Sequence, residues 1–244
     1  MSFWNSAIGA MIGFTLGGPI GALLGGVIGS RFGSRGKRSS FSTNQQHQVA
    51  FFTALFACLA KLAKADGIVS KEEIQAVDRF IKERFKFDSD QRKFAIEIFN
   101  HAKEDNNTYE DYAQQLSALL RNNKNALLVF YELLFELAMA DGVLHKKEEE
   151  LLRNTVHIFG IDPNIFENLK SQSLDSNLSP YSVLGVSEDM EFEEIKRIYR
   201  QKRKEFHPDA LISKGLPEEL IERAKEKFIE IQEAYEAIEK KRNQ

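Results

Sequence analysis

Cysteine and proline are nearly absent: the 244 residues hold one of the first and five of the second. A lone cysteine, Cys58, leaves no internal disulfide, which suits a reducing compartment. It lies within an apolar run and reads as a small core residue. So few prolines leave room for long helices. Strand-like alternation is scarce, and the soluble part reads as all-α. Excess positive charge is missing too. The formal net charge of -3 argues against nucleic-acid binding by the whole chain. No nucleophile elbow, zinc-protease helix or phosphate loop appears, and the glycine-rich segment has no Gly-Lys-Ser/Thr ending. Nothing therefore points to a catalytic residue or a bound cofactor. The length allows one large domain or two small ones.

The N-terminus lacks charge from residue 7 to residue 30. As a helix that stretch would be about 36 Å long, enough for a hydrocarbon core of about 30 Å. Gly9, Gly13, Gly17, Gly21, Gly25, Gly29 and Gly33 recur every fourth residue. A four-residue step returns to nearly the same helix face, and a row of missing side chains lets another helix approach closely. The expectation is a glycine-zipper transmembrane segment over residues 1–30 through which copies associate. Gly17-Gly18-Pro19 is the place where it would kink or break. Arg31, Arg35, Lys37 and Arg38 follow at once, with no lysine or arginine before them. The positive-inside rule then puts the short N-terminus outside and the bulk of the chain in the cytoplasm, as a single pass. A cleaved signal peptide fits less well, because the basic residues follow the apolar run. An interfacial or soluble oligomerising segment is the remaining reading. Residues 31–46 read as a basic and polar tether.

From residue 47 to 170 the pattern is helical. Phe51, Leu55, Leu59, Leu62 and Ala63 step by three and four, as one buried stripe requires. Ala65-Asp66-Gly67 ends that helix, with Gly67 as a left-handed cap. Ser70-Lys71-Glu72-Glu73 fits a capping box for the next. The phrase returns as Ala138-Met139-Ala140-Asp141-Gly142, which makes an internal repeat of helix, Asp-Gly turn, helix. Asp66, Glu73, Asp141 and Glu148 are weak candidates for a cation site between the repeats. Each turn alone supplies too few oxygens, and helix capping accounts for the same residues. His101, His145 and His157 lack metal-ligand spacing and read as solvated. Residues 171–178 read as a linker.

The last segment, residues 179–244, opens on Ser179-Pro180-Tyr181, with Pro180 in a first turn where its missing N–H costs nothing. Tyr181 and Leu184 should face inward. A long helix runs from about Phe192 to Phe206, with Phe192, Ile195, Ile198, Tyr199 and Phe206 on one side. Lys196, Arg197, Arg200, Lys202, Arg203 and Lys204 put six cations into nine positions on the rest of its surface. Pro208 biases His207 away from helix, so His207-Pro208-Asp209 is presented in a loop. Ile221, Ala224, Phe228, Ile231, Tyr235 and Ile238 stripe a further helix that can lie antiparallel on the first.

Tyr181, Leu184, Gly185, Ile195, Tyr199, Arg200, His207, Pro208, Asp209, Phe228, Ile231, Ala234 and Tyr235 together resemble the J domain of DnaJ-type co-chaperones. Residues 47–170, with their two acidic turns, resemble a TerB-like domain. Membrane helix, TerB-like domain and C-terminal J domain in that order resemble the DjlA-type co-chaperones. The loop Leu211-Ile212-Ser213-Lys214-Gly215-Leu216-Pro217 is also similar to theirs. Ala210 departs, standing where many J domains carry lysine, and there is neither a Gly/Phe-rich linker nor a Cys-x-x-Cys zinc module. The resemblance implies a co-chaperone of the inner membrane that is not itself an enzyme. It implies a DnaK-type partner whose ATP hydrolysis is stimulated by His207, Pro208 and Asp209, with the six cations meeting an acidic surface. Two rivals stay open: a basic helix that binds nucleic acid or anionic lipid, and a metal- or stress-sensing TerB-like protein with a secondary J domain.

Overall fold

The computed structural model describes residues 17–32, 43–65, 67, 71–85, 87–121, 123–139, 142–174, 179–207 and 218–242. Among these residues every regular element is a helix, in agreement with the all-α reading. The order is α1 (Gly18–Phe32), α2 (Thr43–Ala63), α3 (Lys71–Arg84), α4 (Ser89–Glu104), α5 (Tyr109–Leu120), α6 (Lys124–Ala138), α7 (Lys146–Phe159), α8 (Ile165–Leu174), α9 (Pro180–Leu184), α10 (Phe192–Glu205) and α11 (Glu218–Arg242). The chain divides into two compact units between Ile161 and Asp162. Helix α8 packs beside α9 and lies with the second unit.

In the first unit α2 is the central helix, packed against α4, α5, α6 and α1. It begins at Thr43, inside the expected tether. Every residue from Val49 to Ala60 is buried, Cys58 included. A single stripe was expected; a helix that is apolar all round needs neighbours all round. Phe52, Phe56, Phe85 and Phe87 form one aromatic cluster with edge and stacked contacts of 5.2–6.4 Å between centroids. Polar groups at the helix ends lock the bundle. Asp88 and Gln91 cap α4 reciprocally, and Thr108 and Asp111 cap α5 in the same way. Arg92 donates to both carboxylate oxygens of Asp78 at 2.7 and 3.0 Å, joining α4 to α3. Tyr109 and Thr155 share a hydroxyl contact of 2.5 Å between α5 and α7.

The internal repeat is visible in the backbone. Gly67 N–H donates to Lys64 O, and Gly142 N–H donates to Met139 O, each at 2.9 Å. Both glycines have positive φ, 122° and 83°, which a side chain would resist.

Helix α1 starts at Gly18, within the expected segment, and Gly17 precedes it with φ 56°. Gln115 of α5 holds this start. Its Nε2 donates to Gly17 O at 2.8 Å and its Oε1 accepts from Ile20 N–H at 2.7 Å, satisfying an orphan donor of the first turn. A Cβ on Gly18 would meet the Gln115 amide at 2.8–2.9 Å. Ile20, Leu23, Leu24 and Val27 are buried, while Gly25 has open space where a side chain would be. Among the described residues no helix is long and apolar enough to cross a membrane. Gly9 and Gly13 lie outside the described residues, as does the surrounding of Gly29.

A basic helix ending in an exposed histidine

The second unit is small, and each of its turns has a local cause. Ser179 Oγ accepts from Ser182 N–H at 3.2 Å, Pro180 occupies the first turn of α9, and Gly185 ends it in the left-handed conformation. Tyr181 and Leu184 point inward, as expected. Gln172 of α8 donates to Ser182 O at 2.8 Å, and a Cβ on Gly185 would meet Asn168 at 3.4 Å and Lys202 Nζ at 3.7 Å. At the far end of α11, Arg242 donates to Met190 O at 2.9 Å and Lys241 pairs with Glu188 at 2.5 Å.

Helices α10 and α11 run antiparallel. Phe192 and Tyr199 both stack on Tyr235, the latter at 4.0 Å, and His207, just past the end of α10, meets Phe228, earlier on α11. Ile195, Phe206, Ala224, Ile231, Ala234, Tyr235 and Ile238 are buried between them and α9. Burial pushes the Tyr235 hydroxyl up to about 12, helped by its 3.0 Å bond to Glu239, so it stays neutral.

The cations of α10 are not equivalent. Glu193 and Glu194 sit in its first turn and Lys202, Arg203 and Lys204 in its last, as the helix dipole favours. Lys196 and Lys202 are half-buried. Arg197, Arg200 and Lys204 are exposed at three- and four-residue spacing, hence on one face. Arg197 pairs with Glu194 at 3.3 Å. Arg200 and Lys204 have no carboxylate within ion-pair distance among the described residues. Arg203 carries its guanidinium 5.7 Å from the Phe228 ring.

The helix stops at Glu205; Phe206 N–H closes the last turn on Lys202 O. His207 follows outside the helix, exposed, with its ring edge-on to Phe228 at 5.6 Å. Pro208 and Asp209 lie outside the described residues. From sequence Phe228 is a stripe residue and part of the J-domain resemblance. The antiparallel register reveals that this half-buried ring supports both Arg203 and His207.

The candidate cation ligands of the first unit are differently placed. Glu148 accepts from His145 N–H at 2.9 Å and so serves the start of α7. Asp66 and Asp141 lie outside the described residues, as does the side chain of Glu73. His101, His145 and His157 are exposed. A shallow cavity of about 530 Å³ beside the first Asp-Gly turn mixes Lys61, Lys64 and Lys147 with Glu110 and Glu150. That lining selects neither sign of ligand.

An amphipathic helical hairpin with a basic helix and a histidine at its exit defines a J-domain protein, and the DnaJ domain family matches residues 179–244. The family described as tellurite resistance protein TerB matches residues 52–171, and the co-chaperone DjlA transmembrane domain matches residues 1–39. The co-chaperone protein DjlA of Photobacterium profundum is 32% identical over 234 residues, covering 86% of this chain and 84% of that protein. That of Coxiella burnetii is 31% identical and covers 100% of this chain and 99% of its own. That of Photorhabdus laumondii is 29% identical over 98% of this chain. This chain belongs to the DjlA co-chaperone family. The family is one of co-chaperones and not of catalysts, and its transmembrane-domain match indicates association with the inner membrane. No solved structure matches.

Proposed function

We propose that this chain stimulates ATP hydrolysis by a DnaK-type chaperone and recruits that chaperone to the membrane. The observation that carries the reading is His207, exposed at the end of α10 and seated on Phe228 beside Arg203. The outward cations Arg197, Arg200 and Lys204 meet an acidic surface of the partner, which speeds encounter and sets orientation. Lys196, Lys202 and Arg203 hold the flanks of that face. His207, Pro208 and Asp209 then bind the hydrolysis-competent conformation of the partner more tightly than the other, which shifts its population. The ATP site belongs to the partner, so the chain itself is no enzyme, and nucleic acid is not a partner.

Residues 1–30 anchor the chain as a single pass with the N-terminus outside and the bulk cytoplasmic. For that, α1 leaves the face of the first unit that Ile20, Leu23, Leu24 and Val27 now cover. Copies associate through the glycine row, and the open space at Gly25 supports this.

The test is single-turnover ATP hydrolysis by the matching DnaK with the full chain in detergent. His207→Gln should lose stimulation by at least about ten-fold, some 1.4 kcal/mol of transition-state free energy, with helicity unchanged. Equal stimulation by the variant would sink the reading.

A further inference from the structure

Helix α1 is gripped by its backbone as well as by its side chains. It packs on α2, α4 and α5. Ile20, Leu23, Leu24 and Val27 are buried there with Gly21, while Gly18, Ala22, Gly25 and Gly26 are exposed. The Gln115 amide holds the first turn through Gly17 O and Ile20 N–H. Three features of this seat are incompatible with a helix that crosses a bilayer. Ile20 N–H is given to Gln115, whereas in hydrocarbon it must bond the carbonyl four residues earlier in its own helix. Gly17 and Gly18 have φ of 56° and 58°, against about −63° in a helix. Pro19 stands in the first turn, where its missing N–H costs nothing; inside a longer span the same residue removes a backbone bond.

We infer that α2, α4 and α5 form a binding site for the chain's own membrane segment, so that α1 is held either on the first unit or in the bilayer. The inference rests on the anchoring reading above and adds what opposes it. Lipid tails are as apolar as leucine, so both placements keep Ile20, Leu23, Leu24 and Val27 from water. Their own burial therefore does not decide between the two. The Gln115 pair and the glycine bend exist in the seated form alone, so changing either shifts the balance toward the bilayer.

The experiment dilutes the full chain from detergent into phosphatidylcholine vesicles at limiting lipid and measures the ratio of floated to free protein. A neutral headgroup keeps the basic residues after α1 from binding by charge. Gln115→Ala removes both hydrogen bonds to α1 and should raise the ratio about ten-fold. Gly25→Ala adds a methyl to open space and gives the effect of added hydrophobicity alone, roughly three- to four-fold. Gly18→Ala adds the same methyl at positive φ, 2.8–2.9 Å from the Gln115 amide, and should exceed Gly25→Ala by about ten-fold. If Gln115→Ala loses helicity, the two glycine variants decide alone. A folded Gln115→Ala that floats like wild type, or Gly18→Ala that floats like Gly25→Ala, overturns the inference and leaves the anchoring reading intact. Wild type that floats at no lipid concentration overturns both.

Discussion

The two compact units use charge differently. In the first unit, ion pairs within α4 and α7 stand beside others that tie different elements together. Arg92 of α4 clamps Asp78 of α3, and Lys61 at the end of α2 meets Asp105 at the end of α4 at 2.7 Å. Between such ties α2 runs without an exposed residue from Val49 to Ala60. In the second unit, ion pairs mostly stay within one helix at three-residue spacing: Lys196–Glu193, Arg197–Glu194, Arg223–Glu226, Lys225–Glu222 and Lys227–Glu230. Pairs of that kind contribute only about 0.2–0.5 kcal/mol each. Ties between elements hold the first unit; charge along α10 is displayed. A helix whose charges are not needed for packing is free to use them for recognition.

The comparison breaks most visibly in the aromatic cluster of the first unit. Phe56 is fully buried against Phe52, Phe85 and Phe87, so Phe56→Ala should cost about 3–5 kcal/mol. Hydrogen exchange of the full chain should show the loss in α2 and α4 and not in α10 and α11. Uniform loss across both units would mean that they do not unfold separately.

A smaller effect should come from Asp105, the hub between α4 and α5. Burial pushes its carboxyl up, but Lys61, Tyr112 and Asn107 all donate to it and hold it below the ordinary carboxylate range. A depressed carboxyl adds stability that is present above its unfolded value, about pH 3.9, and is lost as pH falls through the folded one. Asp105→Asn should therefore destabilise by about 1–3 kcal/mol at neutral pH. The difference from wild type should begin to shrink in denaturation curves as pH falls below about 4 and vanish only below the depressed folded value. A difference independent of pH would assign the role to shape and not to charge.

Much of this organisation is legible in the sequence because it is periodic. The stripes of α10 and α11, the cap at Ser179 and Pro180, the two Asp-Gly turns and the basic run at Lys196–Lys204 all follow from local spacing. What is not legible depends on contacts far along the chain. The stepping of Phe51, Leu55 and Leu59 marks one buried face but cannot count the neighbours that bury the others. Gly17 belongs to a four-residue glycine row, and only the fold shows that Gln115, 98 residues away, holds the helix start beside it. The tie of Gln172 in α8 to Ser182 O, ten residues on, is likewise absent from any local spacing. Phe228 carries no sign of supporting His207 until the register of the hairpin is known.

The smallest effect on stability should accompany a large one on function. Reversing two displayed charges, Arg200→Glu with Lys204→Glu, should change the stability of the second unit by no more than about 0.5 kcal/mol, since neither residue has a carboxylate partner among the described residues. The decisive measurement is DnaK single-turnover hydrolysis with this variant and with wild type, from about 0.05 to about 0.3 M salt. Wild-type stimulation should fall steeply as salt rises, while the variant should be weak and nearly flat throughout. A variant that stimulates like wild type at low salt would contradict the claim that the face of α10 is kept free for recognition.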